Sequence, residues 1–245
     1  MIVQPDESNP IGPLGDWLGE AGAVLEILDP SKQTLPQTLE GYQGLVCLGG
    51  RMSVGNAAEY SWLEDIRRLM SSAMGSDLPI LGVCLGAQLL ALSIGGHVAR
   101  GVSGPEVGPS LVFKKDLAWV DPLFADLPLV QDVMHFHRDA VDRLPYDAEV
   151  LASSSKYANQ AFRWGKFAYG IQFHIETTTD IVLNWVKIEP EIAQTVQEKI
   201  FDKDNLDRAH GDIAETWRPF AHRFVALTKG DLAPADGHRK GLPLL

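Results

Sequence analysis

Short apolar runs alternate with helical spacings along the first hundred residues. Val24–Leu28 reads as a strand stopped by Asp29-Pro30, and Gly44–Leu48 as a second, ending at Gly49-Gly50. Trp62, Ile66, Leu69 and Ala73 recur at helical intervals. They predict a helix over about residues 57–73, with Gly75 placed as its C-terminal cap. Ile80–Val83 is a third strand, opened by Pro79, since a strand's first residue can spare its N–H. A second helix follows from Leu85 to about Ile94, closed by Gly95-Gly96. Continuous apolar strands separated by helices predict a parallel sheet covered on both faces.

The middle of the chain changes rhythm. Ser110–Phe113, Asp132–His137, Glu149–Ala152, Asn159–Arg163 and Phe167–His174 read as short strands separated by turns such as Asp121-Pro122 and Leu144-Pro145. They predict an antiparallel extension of the same sheet. Beyond Glu176 the pattern turns helical. Ile213, Trp217, Phe220 and Phe224 lie on one helix face, with Pro219 inside the pattern predicting a kink or a fresh helix start. The expected organisation is an α/β domain over residues 1–188, a helical extension over 189–228 and a flexible tail over 229–245.

Composition narrows the class. The 245 residues carry 21 Lys+Arg against 32 Asp+Glu, a net charge of −11, with 45% hydrophobic residues. That is a globular chain whose acidic balance argues against nucleic acid or an anionic membrane as partner. No apolar run approaches the ~20 residues of a membrane span, and the N-terminus lacks a secretory pattern. Two cysteines, Cys47 and Cys84, make no disulfide framework. A reduced, cytoplasmic setting is the expectation.

The chemistry concentrates in two segments. Gly82-Val-Cys84-Leu-Gly86 places a thiol between glycines where a strand meets a helix, the thiol form of a nucleophile elbow. The helix beginning after Cys84 aims free N–H groups and its positive dipole end at the sulfur, favouring the thiolate. Cys47 lies inside an apolar run and reads as core. Downstream, Gln172, His174 and Glu176 alternate with Phe173 and Ile175. His174 and Glu176 thus share a strand face, as a base and the carboxylate that orients it.

These segments resemble the class I, or triad, glutamine amidotransferases, which carry G-x-C-x-G-x-Q and, far downstream, Q-F-H-P-E. Here they stand as Gly82-Val-Cys84-Leu-Gly86-Ala-Gln88 and Gln172-Phe-His174-Ile-Glu176, within a resemblance covering about residues 40–185. Among that family the chain is most similar to stand-alone proteins related to the amidotransferase domain of GMP synthase. The resemblance implies a three-layer, flavodoxin-like α/β fold: a mostly parallel sheet, an antiparallel extension and C-terminal helices. It implies Cys84 as nucleophile, His174 as base and Glu176 as its orienter. Gly50 and the backbone N–H of Leu85 match the oxyanion hole. Gln88, Phe136, His137, Arg138 and Asp139 match substrate-holding positions. Arg51, Ile175 and Arg138 depart from the usual Pro, Pro and Gly, and place two cations near the expected pocket mouth.

The expected reaction is hydrolysis of the γ-carboxamide of glutamine through a glutamyl thioester, with no cofactor and no metal. His135-x-His137-x-Asp139 resembles the start of a zinc-hydrolase motif, but Ala140 stands where its last His is required. No phosphate-binding loop is present, and the roughly 70 residues after Glu176 are too few and too helical for a synthetase domain. Three readings stay open. One has a separate synthase subunit receive the ammonia. The second has the chain act alone on γ-glutamyl amides or peptides. The third is a non-enzymatic binding subunit. The expected partners are a small-molecule substrate and that synthase subunit, with a homo-oligomer left open.

Overall fold

The structure is a computed structural model and describes residues 1–235. Five short apolar strands form its parallel half: β1 (Ile2–Val3), β2 (Ile27–Leu28), β3 (Leu45–Cys47), β4 (Ile80–Val83) and β11 (Ala168–Ile171). They lie in the order β2-β1-β3-β4-β11, with every neighbouring pair parallel. Beyond β11 the same sheet continues antiparallel through β10 (Ala161–Trp164), β9 (Ala148–Ser153), β6 (Glu106–Lys114) and β7 (Val130–His137). A two-stranded ribbon of β5 (His97–Arg100) and β8 (Asp139–Arg143) stands apart.

Side chains of a strand alternate between faces, and this alternation divides the core in two. Ile2, Val46, Leu81, Val83, Tyr169 and Ile171 face one cluster, together with Leu14 and Trp17 of α1 (Gly12–Glu20) and with α6 (Lys203–Lys229). Val3, Leu45, Cys47, Ile80 and Ala168 face the other. That side is covered by α2 (Trp62–Gly75) and α3 (Leu85–Ser93). The result is the three-layer architecture expected from the continuous apolar strands. Two further helices, α4 (Thr179–Ile188) and the single turn α5 (Pro190–Ala193), follow β11.

The differences from the sequence pattern have local causes. Of Val24–Leu28 only Ile27 and Leu28 pair, and Val24 is fully exposed. β1, α1, β5 and β8 carry too few periodic positions to be read in advance. The helix α2 begins at Trp62, later than predicted, because Val54–Asn56 forms a separate 3-10 turn capped by Ser53. It ends at Gly75 with the cap at Ser76. The last parallel strand stops at Ile171, and His174 continues only as an isolated bridge to Met134. No new helix starts at Pro219, since α6 runs through it. Pro219 sits on the exposed face, where water can satisfy the carbonyl it frees. The last ten residues of the predicted tail lie outside the described residues.

Candidate active site at the carboxyl edge of the sheet

Four parallel strands deliver polar residues to one edge as they end. β1 leads to Asp6 and Asn9, β3 to Gly49 and Gly50, β4 to Cys84, and β11 to Gln172, His174 and Glu176. Open parallel sheets bind ligands at this edge because the loops and helix N-termini converge there.

Cys84 occupies the turn between β4 and α3 with φ 51° and ψ −105°, a backbone region a non-glycine residue rarely adopts. Its own N–H is held by the Ile171 carbonyl at 2.8 Å, and its carbonyl accepts the first helical bond from Gln88 N at 3.0 Å. The flanking glycines allow this close turn. A Cβ at Gly82 would meet the Gly86 backbone at 2.6 Å, and one at Gly86 would lie 2.1 Å from the Cys47 carbonyl oxygen. The N–H groups of the first turn of α3, Leu85 included, have no helical acceptor, and the Cys84 side chain makes no capping bond to them. Cys47 is fully buried in the second cluster, and burial pushes its thiol pKa up, as befits a core residue.

His174 and Glu176 are both buried, and His174 Nδ1 lies 2.6 Å from Glu176 Oε1. The other carboxylate oxygen accepts from Ile175 N at 2.9 Å, which fixes the carboxylate plane. Burial alone would lower the imidazole pKa. The Glu176 carboxylate and Cys84 together outweigh it and hold His174 up at about 10. His174 is clamped to the sheet by paired backbone bonds with Met134, 2.8 and 3.1 Å, and its ring packs 4.7 Å from that of Trp185. Gly49 runs between the imidazole and the thiol: a Cβ there would stand 2.9 Å from His174 Cε1 and 3.5 Å from Cys84 Cβ.

A cleft of about 240 Å³ opens in front of Cys84 and is lined by Gly50, Arg51, Gln88, Phe136, His137, Arg138, Asp139 and Glu189 among others. Of the site residues expected from the sequence, Gly50, Cys84, Gln88, Phe136, His137, Arg138 and Asp139 line this cleft, and His174 lines a smaller adjoining recess with Cys84, backed by the buried Glu176. Leu85, outside this lining, stands against Gly50, where a Cβ would come 3.0 Å from Leu85 Cδ2. Gln88 Nε2 donates to the Asp139 carbonyl at 3.1 Å and to Gln172 Oε1 at 3.3 Å, and Gln172 Nε2 lies 3.8 Å from Cys84 Sγ. The two departing cations are paired at the wall. Arg51 binds the buried Asp6 at 2.8 Å, and Arg138 binds Glu189 at 2.7 Å. Burial works against an ionised Asp6, but hydrogen bonds from Arg51 and Ser8 outweigh it and hold its carboxyl below the ordinary range.

Sequence reasoning missed Asp6, Asn9, Trp185 and Glu189. The first two follow a two-residue strand; Trp185 lies on α4 and Glu189 caps the α4–α5 junction, both beyond the recognised motif and without a marked polar pattern. It also missed Glu106, which packs against His135 and His137. Asp139, the third residue of the H-x-H-x-D pattern, does not join them: its carbonyl instead accepts from His137 Nδ1 at 2.9 Å. Burial pushes Glu106 up, but the two imidazoles outweigh it and hold the carboxyl at about 2. Burial, with His137 adding to it, lowers His135 to about 3.

With this geometry in view, comparison with known proteins is specific. Residues 16–181 match the family described as glutamine amidotransferase class-I. The chain belongs to that family. It is 34% identical to one subunit of the glutamine-hydrolysing GMP synthase of Pyrococcus abyssi, over 73% of this chain and 96% of that protein. It is 38% identical to the GMP synthase of Thermomicrobium roseum over 55% of this chain. The chain spans 23% to 35% of the length of the full-length GMP synthases it matches first. Among solved structures, a glutamine amidotransferase of Thermotoga maritima superposes with a TM-score of 0.81 at 28% identity, covering 91% of this chain and 96% of that one. Among the described residues, no helix is long and apolar enough to cross a membrane.

Proposed function

We propose that this chain hydrolyses the γ-carboxamide of glutamine and releases ammonia, with Cys84 as nucleophile, His174 as base and Glu176 as orienting acid. The observation that carries it is Cys84 held at φ 51° at the head of α3 beside the buried His174–Glu176 pair. The thiolate attacks the amide carbon, and the oxyanion that forms accepts N–H groups at Gly50 and Leu85. His174 protonates the departing nitrogen, ammonia leaves, and a glutamyl thioester remains on Cys84. Water, deprotonated by His174, then cleaves the thioester to glutamate and regenerates the thiol. No step calls for a metal or an organic cofactor. The ammonia would pass to a separate synthase subunit, a reading supported by the likeness to a GMP synthase that is itself divided into subunits.

A second reading uses the same atoms on γ-glutamyl amides or peptides without a partner. It is favoured by Arg138 and Glu189, charged groups at the cleft wall that an extended substrate would meet. Ammonia or amine release from glutamine and from γ-glutamyl peptides, with and without the synthase subunit of a GMP synthase, separates the two. Partner-dependent release from glutamine supports the first reading, and partner-free release from peptides the second. Activity that survives Cys84→Ala overturns both, and a chain silent on every substrate is left with a binding role.

A further inference from the structure

We propose that Glu106, His135 and His137 form a divalent-metal site of zinc type behind the cleft wall. Strands β6 and β7 pair antiparallel with Glu106 opposite His137 and Gly108 opposite His135, which brings the three side chains together. Each offers one ligating atom, and these atoms all lie within 4.8 Å of one another. All three residues are buried, His135 completely.

The polar bookkeeping of the cluster is incomplete without a cation. His137 Nδ1 faces the Asp139 carbonyl at 2.9 Å, so this nitrogen carries the proton. In the neutral ring Nε2 then presents a lone pair, and it faces Glu106 Oε2 at 3.2 Å. Two acceptors point at each other, while Glu106 Oε2 also accepts from Gln160 Nε2. Neither ring nitrogen of His135 has a hydrogen-bond partner, nor has His137 Nε2, although a buried polar atom is ordinarily satisfied. A second proton on His137 would relieve the clash with Glu106 but leave both nitrogens of His135 orphaned. A metal ion would give His137 Nε2 and one nitrogen of His135 a partner at once and would stand between the His137 lone pair and the Glu106 carboxylate.

The chemistry of the set fits. Two imidazole nitrogens and a carboxylate oxygen suit Zn²⁺, whose bonds of ~2.0 Å place tetrahedral ligands about 3.3 Å apart. The His137–Asp139 bond supplies the second-shell contact that metal-bound imidazoles make through their other nitrogen. His137 and Asp139 also line the cleft, which gives the ion an entry path. The Asp139 carbonyl that His137 engages accepts from Gln88 as well, so the ion would stiffen the wall against which substrate rests.

The test is titration of the metal-stripped chain with Zn²⁺ alone, followed by calorimetry and thermal melting, for the unaltered chain, Cys84→Ala and His135→Gln. One equivalent bound, with a raised melting temperature, is expected for the first two. His135→Gln weakens binding by about 100-fold or more. No stoichiometric binding, binding indifferent to His135→Gln, or binding lost in Cys84→Ala overturns the proposal. Substitution with Co²⁺ in the unaltered chain decides the matter even if His135→Gln fails to fold. Intense visible bands of a low-coordinate site without thiolate charge transfer are expected. Weak octahedral bands, or thiolate charge transfer, overturn it.

Discussion

Arg138 Nη2 donates to Glu189 Oε2 across 2.7 Å, tying the β7–β8 junction to the start of α5 at the wall of the cleft. Burial raises the Glu189 pKa, with Arg138 and Arg51 opposing it. Arg138 is therefore a counter-charge for Glu189 as well as a group facing the cleft. Arg138→Met is expected to raise KM for glutamine by about 5- to 20-fold while kcat stays within about 2-fold, the pattern of lost ground-state binding. Arg51→Met, whose cation is turned to Asp6, is expected to have a smaller effect. Steady-state kinetics on glutamine and a γ-glutamyl peptide check both. Identical parameters for both variants and the unaltered enzyme would place the arginines outside recognition.

The His174–Glu176 pair makes stability depend on pH with a definite sign. The folded pKa of His174, about 10, lies above its unfolded value of 6.5. Its contribution is then fully present below about pH 6.5, declines as the pH rises and is lost once the pH passes about 10. Glu176→Gln removes the carboxylate that raises it, so the melting temperature of that variant should fall less steeply between pH 6.5 and 10. Ammonia release by the same variant should drop on the order of 10²- to 10⁴-fold, because the imidazole loses its orientation and the partner for its charge. A variant that keeps the full pH slope would remove Glu176 from this role.

What could be read from the sequence was what is local. The Cys84 elbow is written in five consecutive residues, and His174 and Glu176 are two apart on one extended segment. Gln88 follows one helical turn after Cys84. The parallel half was legible because buried strands read as unbroken apolar runs. Glu106 was invisible because only the register of β6 against β7 puts it beside His135 and His137. Asp6 and Asn9 were invisible because the strand before them has two residues. Pro219 misled because its effect depends on which way it faces, and an exposed proline can stay within a helix whose opposite side is anchored.

Two glycine substitutions should move stability in opposite directions. Gly86→Ala forces a methyl to within 2.1 Å of the Cys47 carbonyl, which is backbone and cannot yield cheaply. A loss of about 3 kcal/mol or more is expected, with activity falling too, because the turn that presents Cys84 shifts. Gly211 lies inside α6, is exposed, and has nothing within 4 Å of where a Cβ would stand. Gly211→Ala should stabilise by about 0.5–1 kcal/mol through helix propensity and leave ammonia release unchanged. Denaturant titrations of the two proteins check the signs.

The last expectation concerns whether the C-terminal helix is an annex or part of the core. Trp217 of α6 is completely buried, and its ring packs 6.0 Å from Phe124, 5.1 Å from Phe173 and 5.3 Å from Phe220. Its Nε1 donates to the Asp132 carbonyl of β7 at 2.9 Å. Phe173 is the residue before His174, so α6 supports the segment that carries this imidazole. Trp217→Ala should cost about 3–5 kcal/mol and lower the melting temperature by about 10 °C. Trp217→Phe keeps most of the packing, loses only the hydrogen bond, and should cost about 1 kcal/mol. A chain ending at Asp202 would expose the apolar face that α6 covers and should fail to unfold cooperatively. A truncated chain that melted sharply and still released ammonia would make α6 a dispensable addition to the amidotransferase unit.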